Sequence, residues 1–400
     1  MRRHALAGGL AAIAALMIAE PARGSLYAST FEGSLKLVRL DPHTLRPLAG
    51  RTVPLAREPL GWSFAPGRSR LVTGSTARGA RLRFIDLHRM RHSGDVTVSR
   101  HGSGVATAWV GPRRVLSVVA TAGCCGAGDT VVAAVDSETR RVLWRRRLGG
   151  SLQAGERLDG SLLLVLGPRG RVLGPSRLVQ VGADGPIRSA ELPEIVSGTQ
   201  PGERTTHSWS PGLAVDRSGE RAFVVQAEAP VAEVDLRTFE VRSHPLDTDA
   251  LAADAVTGPE RDAVWLGRGM LAITGSDLAE SAGGPSRETP AGLTLVDTRR
   301  WLALEIDART TDVALSSGTL LASCYLCESR GGLSGFSLAG RRRFHLFGRA
   351  QVIGVAPLGR RALVGSLRGN TLIDARSGKV LRRYARFAMT LLRDDQPFPG

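Results

Sequence analysis

The stretch Ala134-Val135-Asp136-Ser137-Glu138-Thr139-Arg140-Arg141-Val142-Leu143-Trp144 decides the fold. Apolar and β-branched ends flank a short polar segment, the pattern of a strand, a tight turn and a returning strand. Relatives of it recur along the chain: Leu40-Asp41-Pro42-His43-Thr44-Leu45, Ile85-Asp86-Leu87-His88, Val234-Asp235-Leu236-Arg237-Thr238-Phe239, Val296-Asp297-Thr298-Arg299 and Ile373-Asp374-Ala375-Arg376-Ser377-Gly378-Lys379-Val380. Two weaker copies are Gly182-Ala183-Asp184-Gly185 and Ser337-Leu338-Ala339-Gly340.

Each copy follows two further short apolar or β-branched runs separated by Gly, Pro, Asp or Ser, so the repeating unit is four strands. One unit reads as strands at 212–215, 221–226, 231–236 and 240–245. The turn positions Asp41, Asp86, Asp136, Asp184 and Asp235 recur about every 50 residues, with a longer gap to Asp297, and four strands in such a period is β-propeller spacing. The expected fold is all-β: a β-propeller of eight four-stranded blades, with seven as the alternative because the copies at Asp184 and Ala339 are weak. The chain ends predict how the ring closes. Strands at 26–30, 35–40 and 48–53 lack an innermost partner, and Ala388-Met389-Thr390-Leu391-Leu392 follows the last complete unit. It is expected to pair with 26–30 and leave no open sheet edge.

Met1-Arg2-Arg3, an apolar run over 5–19 and Ala22-Arg23-Gly24 form the pattern of a signal peptide over 1–24, with an uncleaved anchor as the alternative. The chain is therefore expected to be exported, secreted or associated with the cell envelope, with one propeller domain over 25–400 and no membrane span beyond the leader. A formal charge of +16 suits anionic partners. Yet Lys36 and Lys379 are the only lysines, which points to a compositional bias toward Arg, and no basic block is interleaved with aromatics for base stacking. Nucleic acid is not expected as a partner.

In a four-stranded blade the first-to-second and third-to-fourth turns share one face, and the second-to-third loops and blade-to-blade crossings share the other. The first set is short throughout, as at Gly111-Pro112-Arg113, Asp159-Gly160, Gly267-Arg268-Gly269 and Ser316-Ser317-Gly318. The second set holds every long segment, at 122–129, 167–176, 193–208, 247–261 and 275–291, all between the third and sixth blades. Function concentrates in such loops, so the long-loop face is the candidate binding face; neutral drift of surface loops is the competing reading. In Thr206-His207-Ser208-Trp209, His207 and Trp209 stand at the mouth of an innermost strand and are candidate binding residues. Trp62, Trp109 and Trp265, on other innermost strands, are assigned to packing between blades.

The four cysteines are even in number, which in an exported chain is compatible with disulfides. Cys124 and Cys125 sit in Gly123-Cys124-Cys125-Gly126, and Cys324 and Cys327 in Cys324-Tyr325-Leu326-Cys327. Both pairs are expected on the long-loop face of opposed blades, which favours local pairing over a bridge across the central opening. A thioredoxin-type role for Cys324 and Cys327 needs a helix N-terminus to lower the thiol pKa, and this pair lies in strand. A four-thiolate zinc site needs both pairs in one place, and Glu328 stands where haem attachment needs histidine.

These hairpins resemble those of the PQQ-like and YVTN-repeat bacterial β-propellers over essentially the whole chain after the leader. The quinoprotein repeat Ala-x-Asp-x-x-x-Gly-x-x-x-Trp is nearly matched at 134–144, where Arg140 takes the glycine position; 374–379 keeps the glycine as Gly378 and lacks the tryptophan. The resemblance implies that adjacent Cys124 and Cys125 form a vicinal disulfide of the kind quinoprotein dehydrogenases set against PQQ. The calcium ligands that accompany that cofactor are not found in the sequence. No cofactor and no metal are therefore expected, with PQQ and calcium as the alternative. Gly-x-Ser-x-Gly, His-Glu-x-x-His and Walker patterns do not occur, and Asn370 is the only asparagine, which argues against sites rich in Asn ligands. The functional expectation is a monomeric, non-catalytic propeller that binds a small molecule, an envelope component or a protein. The alternative is a propeller enzyme, a quinoprotein-like oxidoreductase or a metal-assisted lyase or lactonase.

Overall fold

The computed structural model describes residues 26–392 except 32–33, 51, 56–58, 76–78, 122–127, 202–205, 247–255, 280–286, 328–330, 367–368 and 385–388. The expected signal segment, Cys124 and Cys125 lie outside the described residues. Eight antiparallel sheets follow one another along the chain. Blade 1 holds β1 (Leu26–Phe31), β2 (Leu35–Leu40) and β3 (Val53–Pro54), and blade 2 holds β4 (Pro59–Phe64), β5 (Arg70–Ser75), β6 (Arg81–Asp86) and β7 (Arg91–Thr97). Blade 3 holds β8 (Ser103–Trp109), β9 (Arg114–Ala120), β10 (Thr130–Asp136) and β11 (Arg141–Arg147). Blade 4 holds β12 (Leu152–Leu158), β13 (Ser161–Leu166), β14 (Leu173–Gly182), β15 (Gly185–Pro201) and β16 (Thr206–Trp209). Blade 5 holds β17 (Gly212–Val215), β18 (Arg221–Val225), β19 (Val231–Asp235) and β20 (Val241–His244). Blade 6 holds β21 (Val256–Gly267), β22 (Met270–Ala279), β23 (Arg287–Pro290), β24 (Leu293–Asp297) and β25 (Leu302–Asp307). Blade 7 holds β26 (Asp312–Ser316), β27 (Thr319–Ser323), β28 (Leu333–Ser337) and β29 (Arg342–Leu346). Blade 8 holds β30 (Val352–Leu358), β31 (Arg361–Ser366), β32 (Gly369–Asp374) and β33 (Val380–Tyr384), and β34 (Met389–Leu391) ends the described chain.

The ring closes as the chain ends predict. β34 pairs with β1, Ala28 opposite Leu391 and Thr30 opposite Met389, so blade 1 takes its innermost strand from the far end of the chain. Eight blades give eight seams, and each seam holds one buried apolar cluster shared by two neighbours. Second strands are buried on both faces, as in β13 and β27, so they read as unbroken apolar runs, whereas outermost β11 alternates toward solvent. The tryptophans expected between blades are there. Trp109 donates its indole N–H to the Ser63 carbonyl (3.1 Å) and meets Phe84 edge-on, and Trp265 stacks on Phe223 at 5.2 Å.

The recurrent Asp has a mechanical role. In the third-to-fourth turn its Oδ1 accepts the amides two and three residues on, as Asp136 does from Glu138 (3.0 Å) and Thr139 (2.7 Å), and Asp235 from Arg237 (2.8 Å) and Thr238 (2.9 Å). These bonds hold the Asp136 and Asp235 carboxyls below the usual carboxylate range. The amide four residues on donates to the Asp carbonyl, and that residue is left-handed: Gly378 at φ 73° in one turn, Arg140 at 56° in another. Arg140 thus departs from the quinoprotein repeat while keeping its backbone, at a local cost of about 1 kcal/mol. The weak copies are explained in the same terms. Ser337, at the Asp position, accepts with its Oγ the amide four residues on, that of Arg341 (3.1 Å), and Gly182–Gly185 closes as a two-residue hairpin whose Asp184 points out to Arg114 (3.1 Å).

Two expectations are corrected. The outer strand expected at 48–53 shrinks to Val53–Pro54, with only an isolated bridge from Leu40 to Pro47 before it. Of the long segments of the binding face, 122–127, 202–205, 247–255 and 280–286 lie outside the described residues, and much of what is described in the others is paired backbone rather than open loop. β14 and β15 pair on to Leu173 opposite Gly198, β15 turns back onto β16, and β21, β22 and β23 continue to Val256 opposite Ala279 and Ala279 opposite Arg287. These extensions lack the alternating apolar pattern that marks a strand, because backbone pairing sustains them where neither face is fully buried.

Candidate functional site

At the inner edge of the ring, blades 5 and 6 meet backbone to backbone. The Ser210 amide donates to the Pro259 carbonyl (3.0 Å) and the Arg261 amide to the Ser210 carbonyl (2.9 Å), a parallel bridge between Ser210 and Glu260. Gly212 permits this approach, since a Cβ there would stand 2.6 Å from the Arg261 carbonyl oxygen and 2.7 Å from the Ala263 nitrogen. β16, carrying His207 and Trp209, therefore runs beside the start of β21. The stretch singled out in the sequence borders a group of acids that the sequence did not reveal.

β21 supplies Glu260 and Asp262, and β26 supplies Asp312 at the corresponding level of the next blade. β23 supplies Glu288, whose Oε1 accepts from Ser276 Oγ (2.8 Å) and from the Tyr325 hydroxyl (3.1 Å). Tyr325 sits in the loop closed by the Cys324–Cys327 disulfide, its amide donating to Thr311 Oγ1 (3.1 Å) and its carbonyl accepting from Gln351. One of the two expected disulfides thus lies at this mouth, where it holds a phenol against a carboxylate.

Burial pushes the Glu260 carboxyl up, and nearby Glu288 pushes it further. Asp262 rises to about 7, through burial first and then the charges of Glu260 and Asp312. Asp312 is raised by burial, against a hydrogen bond from the Val313 amide. Burial, with Glu288 and Glu260, drives the Tyr325 hydroxyl up to about 12, against a hydrogen bond with Ser276. Asp262 and Asp312 nevertheless keep exposed surface. Both statements hold because the innermost strands face the central bore, where water touches the carboxylates while protein walls around it weaken their solvation. The cation between them does not help. Arg261 is 2% exposed, turned inward onto Asp277 (2.6 Å), and among the described residues no cation pairs with Glu260, Asp262 or Asp312. The mouth is a concentrated negative field suited to a positively charged or donor-rich group.

Across the bore, Arg157 of β12 donates to the carbonyls of Trp62 and Thr107 (3.2 Å), lying over the inner strands of blades 2 and 3 toward the tight-turn face. Ile353 of β30, 53% exposed, adds an apolar surface at blade 8. Among the described residues no three His, Cys, Asp or Glu side chains are arranged to hold a metal ion. Signals for the acids were present but diffuse: two carboxylates on one inner strand, one on the next and one on a side strand, in no motif.

The fold defines the class: an eight-bladed β-propeller built from one repeated hairpin unit. No protein-family model matches the chain, and no curated protein matches it. Among solved structures it is similar to the dihydro-heme d1 dehydrogenase NirN in complex with DHE, at 14% identity and a TM-score of 0.62, covering 91% of this chain and 74% of that one. It is also similar to the Dos1 propeller, at 13% identity and a TM-score of 0.53, covering 82% and 83%. At these identities the likeness is one of fold. No helix among the described residues is long and apolar enough to cross a membrane.

Proposed function

We propose that the protein is an exported, monomeric, non-catalytic binding propeller, and that its ligand enters the bore from the long-loop face and places a cationic group among Glu260, Asp262 and Asp312. The observation that carries this reading is a set of carboxylates at one mouth with no cation paired to them among the described residues. Uncompensated like charges in a partly enclosed space are costly to the fold, and a cation arriving from outside relieves that cost. The paired extensions β15–β16 and β22–β23 wall the mouth, so His207 and Trp209 on β16 are positioned as its rim. NirN, a propeller of related fold, is found with a bound ligand, which supports a binding role without naming the ligand here. Export rests on the leader pattern of residues 1–24.

The test is calorimetric screening of the purified chain against small organic cations and matched neutral analogues at pH 6 and pH 8, alongside Asp262→Asn/Asp312→Asn. Cations are expected to bind, more tightly at pH 8 as Asp262 ionises, and to lose affinity in the double variant. Stoichiometric PQQ or calcium in the purified protein, or binding indifferent to both pH and the double variant, would replace this reading with the enzyme alternative or remove the site.

A further inference from the structure

A propeller leaves the outer strand of each blade unpaired on one side, and such an edge is a template for another strand unless charge or proline blocks it. All but one of the outer strands here are blocked in this way. Blade 1 ends in the two-residue β3 with Pro54, and blade 4 presents Pro186 and Arg188 of β15. The outer strands of blades 2, 3, 5, 7 and 8 each carry arginine, as at Arg145, Arg146 and Arg147 of β11 and at Arg382 and Arg383 of β33. The exception is β25 of blade 6, Leu302-Ala303-Leu304-Glu305-Ile306-Asp307. It contains no arginine, lysine or proline, and it pairs with β24 alone.

The same strand carries a continuous apolar surface. Leu302, 61% exposed, and Leu304, 53% exposed, are two residues apart and share one strand face. That face looks toward blade 7: Leu304 pairs with Leu295 of the seam between blades 6 and 7, Ile306 packs against that seam, and a Cβ on Gly340 would stand 3.5 Å from Leu304 Cδ2. On the other outer strands Leu143, Ile187 and Leu381 each stand alone. Charge around the edge is positive. Arg299 and Arg300 are exposed in the turn that opens β25, and exposed Arg342, paired with Phe336 of the same seam, lies on the side of blade 7 that faces it. None of the three has a carboxylate partner among the described residues. The acids of β25 are turned away, Glu305 sharing the opposite face with Ala303 and Asp307 accepting from Thr310 Oγ1 (2.7 Å). At a formal charge of +16 two copies of the chain repel, so the edge suits an acidic partner better than a second copy.

We propose that blade 6 docks an extended segment of an acidic protein, which adds to β25 as a further strand, sets alternate apolar side chains on Leu302 and Leu304, and meets Arg300 and Arg342 with carboxylates. Backbone pairing supplies the contact, and the leucines and arginines select the segment. The edge lies on the outside of the ring, and neither this proposal nor the acidic mouth depends on the other.

The test follows the fluorescence anisotropy of a labelled synthetic peptide that alternates Val and Thr between acidic ends, titrated with the full chain. The peptide is expected to bind, to protect the amides of β25 from hydrogen exchange, and to weaken with salt. Methylating the backbone nitrogens along its pairing edge removes the donors and should abolish binding. Leu302→Lys/Leu304→Lys blocks the edge at two exposed positions and should lower affinity about tenfold, whereas Leu381→Lys on β33 should leave it unchanged. Arg300→Gln/Arg342→Gln should flatten the salt dependence. No binding of the peptide, equal binding of its methylated form or of a peptide with basic ends, an equal loss in the Leu381 control, or sedimentation showing that the chain pairs with itself through this edge would each overturn the proposal.

Discussion

Replacing Leu391 and Leu392 together by alanine tests the closure of the ring. Adjacent residues of a strand face opposite sides, and these two enter different seams: Leu391, 3% exposed, packs with Ala28, Leu40, Leu363 and Leu372, and Leu392, 4% exposed, with Tyr27, Leu37, Phe64 and Leu71. A buried Leu→Ala costs about 2–5 kcal/mol, and because the two sites share no cluster their effects should roughly add, to about 4–10 kcal/mol. At about 2.1 cal/mol/K per residue a chain of this length unfolds with an entropy near 0.8 kcal/mol/K, so the melting temperature should fall by about 5–12 °C. Scanning calorimetry measures it, with Leu381→Ala, 46% exposed on β33, as the control. A drop of under about 2 °C, or one equal to that of the control, would refute closure by β34, because it would leave these leucines outside any seam.

Asp262→Asn probes the raised carboxyl. A folded-state pKa above the unfolded one means that the native state holds the extra proton, so stability falls as pH rises between about 4 and 7. The variant should exceed the native chain in stability above pH 7, with the gap closing toward pH 4, in paired melts across that range; a constant gap would show that Asp262 does not carry the shift. Gly212→Ala should cost about 1–3 kcal/mol by forcing a Cβ into the β21 backbone, and faster amide exchange at Arg261 would locate the damage. Cys324→Ser/Cys327→Ser closes no loop and should cost at most about 2 kcal/mol by the chain-entropy estimate for so short a span. Hydrogen exchange should then rise at Tyr325 while the seams stay protected, and global loosening would contradict a local role.

The architecture was legible because a propeller repeats its physics. The Asp turn needs a carboxylate or hydroxyl at one position and a left-handed residue at another, so Asp136 and Asp374 announce hairpins on their own. The unpaired count of strands at the two ends likewise announced closure by β34. His207 and Trp209 were singled out because a short strand follows them, and the Cys324–Cys327 bridge was legible because the two cysteine pairs fall on opposed blades, which favours local pairing. The extensions of β15, β21 and β22 were read as loops, since backbone pairing leaves no mark in side-chain pattern where both faces are partly wet.

The sequence by itself determined the repeat, the number of blades within one, the closing strand and the side of the ring that carries the long segments, all properties set by local turn chemistry and alternation. The tertiary structure alone decided which charges meet. Glu260, Asp262, Glu288, Asp312 and Tyr325 come from three strands and a loop of two blades. Electrostatic effects depend on distance and enclosure rather than on order along the chain, so the acidic mouth exists only in the closed ring.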